Sequence, residues 1–223
     1  MCKIRSMTTQ KPLRADAERN RKRILDGAAE LFAAKGLSVG LDEIAHHAGV
    51  GVGTAYRRFP DKRQLIEALF EEHLDRIVEL AERGLAADDA GEGLTGFLEQ
   101  ATELQIQNRG LREILIGSEY STALAARARA RLAPLMEQLV RRAQASGALR
   151  DDVVATDLPL LQFMVSASAE LTPPHAPQLW RRYLALAIDG LRTPDPHPLP
   201  QPGLSPDELD AAMQSTRTGR LAT

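Results

Sequence analysis

Residues 41–59 read LDEIAHHAGVGVGTAYRRF, and this stretch decides the fold of the N-terminal part of the chain. It predicts two short helices, Asp42–Ala48 and Val52–Phe59, and a proline prevents the second from continuing. Ala45 is small where two helices cross closely, and Gly49 stands where the turn needs a positive φ. This spacing is typical of a helix-turn-helix, whose second helix enters the major groove of DNA. The pattern alone leaves open an ordinary tight corner between two helices.

A longer helix is predicted on each side of this stretch. The first covers about Asp16–Ala34, where apolar residues recur every 3.6 positions, and Gly36 ends it. The second begins near Asp61, a fair N-cap, and continues to about Arg83. Positive charge near a helix N-terminus opposes the macrodipole, so the basic residues in the first turns of the first helix are expected to serve a partner. These residues are Arg19, Arg21, Lys22 and Arg23.

The remainder of the chain predicts five more helices. Gly84–Gly93 is small and acidic, and we interpret it as a linker or frayed loop. The predicted helices are Leu94–Asn108, Leu111–Tyr120, Thr122–Ala145, Asp157–Leu171 and Ala176–Leu191. Pro134 is expected to kink the third of them. Six prolines in positions 194–206 predict an extended, mobile tail, with a brief helical turn at Asp207–Gln214.

Composition favours an all-α fold. The 223 residues include 33 Ala and 32 Leu, but Val and Ile together number only 17, and aromatic residues make up 4%. Strands favour β-branched and aromatic residues, so a sandwich or barrel is excluded and a parallel sheet is disfavoured.

Charge and cysteine content narrow the class of protein. Residues 1–63 carry 13 Lys/Arg and 7 Asp/Glu, a net charge of +6 within a chain whose net charge is -2. Such a basic region fits a polyanionic partner, although a solvated surface with a loose basic arm gives the same pattern. The single cysteine, Cys2, excludes an intramolecular disulfide framework and a cysteine-rich zinc module. No apolar run approaches the roughly 18 residues of a membrane helix, and Met1–Arg23 lacks an apolar signal region. We expect a cytoplasmic protein without a membrane partner.

No pattern in the chain is typical of an enzyme. The five histidines form no HExxH motif, and the serines in GSEYS (117–121) and VSAS (165–168) lack the surroundings of a nucleophile. GVGVG (49–53) resembles a phosphate loop only weakly, because no strand precedes it. We therefore expect no catalytic residue, no metal site and no cofactor. A helical protein–protein interaction module remains the alternative from another class.

Residues 17–70 resemble the N-terminal domain of the TetR/AcrR (tetracycline-repressor) family of bacterial regulators. Three stretches carry the resemblance: ILDGAAELFAAKG, DEIAHHAGVGVGTAYRRFPDK and LIEALF. It implies an all-α protein with an N-terminal three-helix helix-turn-helix domain, which a long helix joins to a C-terminal helical ligand-binding and dimerisation domain. It also implies a homodimer on a pseudo-palindromic double-stranded DNA operator, usually a repressor that a small molecule releases. A ligand-independent DNA-binding regulator is the alternative within the family.

The resemblance assigns DNA contacts and domain ranges position by position. Candidate contacts to bases and phosphates are Val52, Gly53, Thr54, Tyr56, Arg57, Arg58 and Lys62, with Arg57 as a base reader and Tyr56, Arg58 and Lys62 on the backbone. Gly40 and Gly51 depart from the family, which often has a capping threonine and serine there. The expected ranges are a disordered basic arm (1–14), the DNA-binding domain (15–62), the effector-binding and dimerisation domain (63–192) and a proline-rich mobile tail (193–223).

The C-terminal helices suggest a pocket and an interface. Candidate pocket residues for a small apolar or amphipathic effector are Phe97, Gln105, Tyr120, Met136, Gln162 and Phe163, although most of the apolar ones fit a plain core. The last helix has two apolar stripes, one with Trp180 and Leu184 and one with Leu179 and Tyr183, so it needs two partners. One stripe is expected to face a sister subunit, together with Leu161 and Val165, and the sequence does not decide which. Arg127, Arg129 and Arg131 are interpreted as solvated charge.

Overall fold

The computed structural model describes residues 10–107, 121–171, 175–192 and 197–212. Its α-helices are α1 (Gln10–Lys35), α2 (Leu41–His47), α3 (Val52–Arg58), α4 (Lys62–Ala86), α5 (Ala90–Gln107), α6 (Ser121–Ala145), α7 (Asp157–Glu170) and α8 (Trp180–Leu191). A 3₁₀ turn, Gly36–Ser38, follows α1, and residues 206–212 are helical. The described ranges contain no strand, so the predicted all-α fold is confirmed. The predicted helix Leu111–Tyr120 lies outside the described residues.

The chain divides into two compact units, Met1–Leu69 and Phe70–Thr223. In the first unit, α1, α2 and α3 pack on one another around a buried apolar core. Its largest fully buried side chains are Phe32, Ile24, Leu25, Ile44, Leu65 and Ile66. Ala45 is fully buried, as its small size at a helix crossing predicted.

The start of α1 differs from the prediction. The helix begins at Gln10, inside the range expected to be a disordered arm, and it includes Pro12. A proline is tolerated in the first turn of a helix because its missing N–H has no partner there anyway. Arg23 therefore lies well inside α1, so the argument from the macrodipole does not apply to it.

The second unit is a bundle in which α5 packs against α6, α7 and α8. One apolar core joins these helices, with Phe97, Leu98, Val140 and Trp180 among its buried members. Pro134 lies inside α6, which continues through it to Ala145. No helix in the described ranges is long and apolar enough to cross a membrane.

The segment predicted as a linker, Gly84–Gly93, is a tight helix-to-helix connection. Helix α4 continues to Ala86, and α5 begins at Ala90. A Cβ atom added to Gly84 would lie 2.7 Å from the carbonyl oxygen of Gly93, and one added to Gly93 would lie closer still to the carbonyl of Gly84. The small residues allow this backbone approach, which the sequence reading mistook for flexibility.

Ion pairs join α6 to α4, which corrects the interpretation of the alternating arginines as solvated charge. Arg127 lies 3.0 Å from Glu71, and Arg131 lies 2.7 Å from Asp75. The two arginines are four residues apart and share one face of α6, whereas Arg129 points elsewhere and pairs with Asp210.

The region after α7 also differs from the predictions. Helix α8 begins at Trp180 rather than at the predicted Ala176. The residues just before it form tighter turns with i to i+3 hydrogen bonds, such as the one from the Leu179 N–H to the Ala176 carbonyl. The described part of the tail contacts the bundle instead of standing free. The Thr156 hydroxyl donates to the carbonyl of Leu204 at 2.6 Å, and the Leu199 N–H donates to Asp152 at 3.2 Å.

Candidate nucleic-acid interface

The turn between α2 and α3 is fixed by backbone geometry. Gly49 has a φ of 60°, as the sequence predicted. Its N–H donates to the carbonyl of His46 at 3.1 Å, and the N–H of Val50 donates to the carbonyl of Ala45 at 2.9 Å. This pair of bonds is the Schellman arrangement that ends a helix at a glycine. The turn therefore sets the direction in which α3 leaves α2.

The turn is also held from α1. The Nη2 atom of Arg23 donates a 2.9 Å hydrogen bond to the carbonyl oxygen of Gly49. The sequence reading assigned Arg23 to a partner and missed this role, because the two residues are 26 positions apart and local periodicity carries no signal for the pair.

Three consecutive polar side chains are exposed on α3. Tyr56, Arg57 and Arg58 all face solvent, and Tyr56 is 44% exposed. Ala55 and Phe59, on either side of them, are buried and anchor the helix. Val52 and Thr54 are half-buried at the start of α3, and Gly53 is exposed, so the first turn presents mainly backbone and one hydroxyl.

Arg57 and Arg58 have hydrogen-bond partners within the protein but remain accessible to DNA. Arg57 folds back along α3, with Nε donating to the carbonyl of Gly53 at 3.1 Å and Nη2 donating to the Thr54 hydroxyl at 3.2 Å. Arg58 pairs with Glu18 at 2.9 Å. Exposed pairs of this kind contribute only about 0.2–1 kcal/mol, so exchanging these partners for a phosphate or a base is inexpensive.

The hydroxyl of Tyr56 bonds to a residue of α2. Its hydrogen bond to the carboxylate of Asp42, together with that negative charge, raises the pKa of Tyr56 above its ordinary value. The single hydroxyl proton is donated to Asp42, so a hydrogen bond from Tyr56 to a phosphate oxygen would require an exchange of this partner.

Lys62 is placed differently from the other predicted contacts. Its ammonium donates to the carbonyl oxygen of Leu37 and lies 5.7 Å from the centre of the Phe32 ring. Partial burial lowers the pKa of Lys62. In this arrangement the ammonium fastens the start of α4 to the 3₁₀ turn. Asp61 caps the same helix, accepting from the Gln64 N–H at 2.8 Å, as predicted.

The two glycine departures leave both helix N-termini without a side-chain cap. Gly40 and Gly51 occupy the N-cap positions of α2 and α3 in extended conformations, and neither start has a capping hydrogen bond from a side chain. The first backbone N–H groups of α2 and α3 are thus open to external acceptors.

The predicted pocket residues do not share one environment. Phe97 and Met136 are buried in the core of the second unit, and Gln162 is buried as well. Gln105 is half-buried, and its Oε1 accepts from the Ser166 hydroxyl at 3.2 Å. Phe163 is 37% exposed on α7 and therefore lies at the surface rather than in the apolar core that holds Phe97 and Met136. Tyr120 lies outside the described residues.

A surface groove of about 260 Å³ in the second unit involves other residues. It is lined by Arg76, Glu79, Leu80, Arg83, Gln100, Glu103, Leu104 and Gln107. None of the predicted pocket residues lines it, and half of its lining is charged, unlike the apolar pocket expected from the sequence.

The predicted dimer residues separate into two groups. Trp180, Leu184 and Val165 are buried in the core of their own subunit, with Trp180 only 2% exposed, so their assignment to an interface is wrong in this structure. Tyr183 is 44% exposed on the other face of α8, while Leu161 and Leu179 are half-buried. The stripe with Leu179 and Tyr183 is therefore the outward one.

Comparisons with known proteins agree with this architecture. The model for bacterial regulatory proteins of the tetR family matches residues 24–69, and the model for the C-terminal domain of SbtR-like transcriptional regulators matches residues 89–193. A curated HTH-type transcriptional regulator of Staphylococcus aureus (strain USA300) is 39% identical over 64 residues, or 28% of this chain and 35% of the relative. The chain thus spans about a third of the length of the curated relatives it matches.

Two solved structures extend the similarity over most of the chain. A TetR transcriptional regulator from Streptomyces coelicolor is 28% identical, with a TM-score of 0.60, over 77% of this chain and 98% of that one. A TetR transcription regulatory protein from Mycobacterium vanbaalenii is 36% identical, with a TM-score of 0.62, over 82% of this chain and 100% of that one. The chain belongs to the TetR family of bacterial transcriptional regulators.

Proposed function

We propose that the chain is a homodimeric repressor that binds a pseudo-palindromic operator in double-stranded DNA through α3 and leaves it when a small molecule binds the second unit. The observation that carries the DNA-binding part is the exposed run Tyr56, Arg57 and Arg58 on the second helix of a helix-turn-helix. The net charge of +6 on residues 1–63 supports the same partner.

The chemistry of these side chains assigns them different tasks. A guanidinium can donate two parallel hydrogen bonds to the O6 and N7 atoms of guanine, and Arg57 stands on the exposed face of α3 where it can do so. Arg58 and the Tyr56 hydroxyl are donors suited to phosphate oxygens, which position a protein without reading sequence. Gly53 has no side chain, and no protein atom would lie within 4 Å of an added Cβ, so this part of α3 is open to a close approach of DNA.

The dimer would form through an apolar face of α7 and α8. Four large apolar side chains are exposed on these helices: Phe163, Met164, Tyr183 and Leu186. A two-fold axis would place this face against itself, which is how most homodimers cover such a surface. An obligate interface of this kind buries about 2,000 Å² or more in total.

Movement of α4 would transmit ligand binding in the second unit to the DNA-binding helices and so release the operator. This helix is continuous from Lys62 in the first unit to Ala86 in the second, and the pairs Arg127–Glu71 and Arg131–Asp75 tie it to α6. A ligand that shifts α6 would thereby shift α4 and change the spacing of the two recognition helices. The requirement is differential affinity for the two spacings, so ligand and operator weaken each other's binding.

The experiment is selection of DNA from a random library on the purified full chain, followed by sequencing. An inverted repeat whose half-sites lie about 34 Å or a multiple of it apart is the expected result. Failure to enrich any sequence would contradict the DNA-binding proposal, and enrichment of a single half-site would contradict the dimer. Operator affinity that no small molecule changes would favour the ligand-independent alternative.

A further inference from the structure

Two of the exposed donors on α3 hydrogen-bond to carboxylates from the other helices of the first unit. Arg58 donates from Nη2 to Oε1 of Glu18 on α1 at 2.9 Å. The Tyr56 hydroxyl donates to the carboxylate of Asp42, in the first turn of α2. All four residues are exposed. Two different helices therefore each bring a negative charge to the exposed side of α3.

A carboxylate and a phosphate are alike in what they offer to these donors. Each presents anionic oxygen atoms that accept charge-assisted hydrogen bonds, and a guanidinium binds either of them. Each carboxylate thus takes the place on its donor that an oxygen atom of the DNA backbone would take. A phosphate can bind Arg58 or Tyr56 only after the carboxylate has been displaced.

The guanidinium of Arg57 has a different environment. It donates to the carbonyl of Gly53 and to the hydroxyl of Thr54, and neither acceptor carries a charge. Among the residues that the structure describes, no carboxylate holds this proposed base reader, whereas both proposed phosphate donors are held by one. Phosphates are the same on every DNA sequence, so a carboxylate that competes with them weakens binding to all DNA alike.

We propose that Glu18 and Asp42 are internal competitors of the DNA backbone, which lower the affinity of the protein for every duplex and shorten its stay on non-specific DNA. This inference rests on the DNA contacts proposed above for Tyr56 and Arg58. The two carboxylates are positioning residues, because they act through these donors. Non-specific binding comes essentially from phosphate contacts, and the many non-specific sites of a genome compete with an operator. The preference between sequences depends on base contacts and is left unchanged.

The test measures binding of the purified full chain to a random-sequence duplex and to a selected fragment by fluorescence anisotropy. Glu18→Gln and Asp42→Asn keep the size of each side chain and remove its charge. Each is expected to tighten binding to both DNAs by the same factor, up to about fivefold per subunit, which corresponds to the loss of one exposed ion pair.

Glu43→Gln and Glu30→Gln are the matched controls. Glu43 lies beside Asp42 in the first turn of α2 and pairs with Lys35, and Glu30 lies on α1 and pairs with His47 at 2.6 Å. Each control removes the same charge from an exposed pair that includes no residue of α3. Both controls are expected to bind the two DNAs as the wild type does.

Double-mutant cycles show whether each carboxylate acts through its donor. Glu18→Gln is expected to lose its effect in the Arg58→Ala background, and Asp42→Asn is expected to lose its effect in the Tyr56→Phe background. An equal effect with and without the donor, or equal tightening by the controls, would show general charge repulsion and overturn the proposal. Unchanged binding in both single variants, or tightening on the selected fragment alone, would also overturn it.

Two further measurements separate the competition from a structural role and from the proposed function. A lowered Tm together with weaker DNA binding in Glu18→Gln and Asp42→Asn would assign these carboxylates to the fold and overturn the competition. Arg58→Ala alone tests the proposed contact, because an unchanged isotherm would contradict the contact itself. Weaker binding of Arg58→Ala with unchanged binding of both carboxylate variants would overturn only the competition.

Discussion

Arg23 on α1 donates a 2.9 Å hydrogen bond to the carbonyl oxygen of Gly49, the residue whose positive φ turns the chain from α2 into α3. The bond ties the longest helix of the first unit to the turn that aims the candidate recognition helix. A residue that the sequence analysis assigned to a partner thus has a hydrogen bond within its own unit, so its substitution should affect folding.

Arg23→Ala is expected to lower the free energy of unfolding of the first unit by about 1 kcal/mol, the usual net contribution of one hydrogen bond. Urea denaturation followed by circular dichroism measures it. Arg21→Ala is the control, two residues earlier on the same helix. Equal stability of Arg23→Ala and the control would show that the bond does not support the turn.

The family resemblance and the observed geometry predict different roles for Lys62. The resemblance predicts a phosphate contact, so removing it would reduce the salt dependence of DNA binding by about one unit per subunit. The geometry predicts instead that Lys62→Met, which keeps the stem over Phe32 but loses the bond to Leu37, lowers stability by about 1 kcal/mol and leaves the salt slope unchanged. Binding isotherms at several salt concentrations, with Arg63→Met as the control, decide between the two.

The exposed face of α8 gives a prediction about assembly. Tyr183→Glu and Leu186→Glu should convert the proposed dimer to a folded monomer, because each would place a charge on the exposed apolar face that is proposed as its interface. Trp180→Glu should unfold the second unit instead, since Trp180 lies in its own core. Sedimentation velocity and thermal melting measure the two effects. Leu199→Glu, the same change at an exposed leucine in the tail, should leave the dimer intact, and a monomeric wild type at micromolar concentration would contradict the interface.

His73 predicts a pH dependence of stability. Burial, and secondarily the charge of Arg76, lowers its pKa from 6.5 to about 4. The unfolded chain therefore binds a proton below pH 6.5 that the folded chain does not bind until about pH 4. The stability contribution is fully present above pH 6.5 and is lost as the pH falls toward 4, by about 3 kcal/mol in total. Urea denaturation of the wild type and His73→Leu across this range should show a steeper acid loss in the wild type, and parallel curves would contradict the prediction.

The sequence predicted the turns and helix ends that depend on neighbouring residues, but it did not predict the contacts between residues far apart in the chain. Gly49, the cap at Asp61 and the end of α1 at Gly36 were all predictable, because turn and cap chemistry depends on a few neighbouring residues. The pairs Arg23–Gly49 and Arg127–Glu71 were not, since they join positions 26 and 56 residues apart.

The same distinction explains the candidate sites. The exposed side of α3 follows from its spacing, whereas the outward side of α8 does not, because both of its stripes are apolar. Only the packing of Trp180 and Leu184 into the core of their own subunit identifies the other stripe as outward. The exposure of Phe163 was not predictable for the same reason, since an apolar residue on α7 fits an interior or an interface equally well.

The most direct test of the central claim is titration of a selected DNA fragment with wild-type protein and with Arg57→Ala, followed by fluorescence anisotropy. The account predicts salt-dependent wild-type binding and a loss of about 1–3 kcal/mol per half-site in Arg57→Ala on the selected sequence, with little change on random DNA. Arg141→Ala, on the exposed side of α6, should bind as the wild type does. A wild-type isotherm identical for selected and random DNA, or an Arg57→Ala isotherm identical to the wild type on both, would contradict sequence reading by α3.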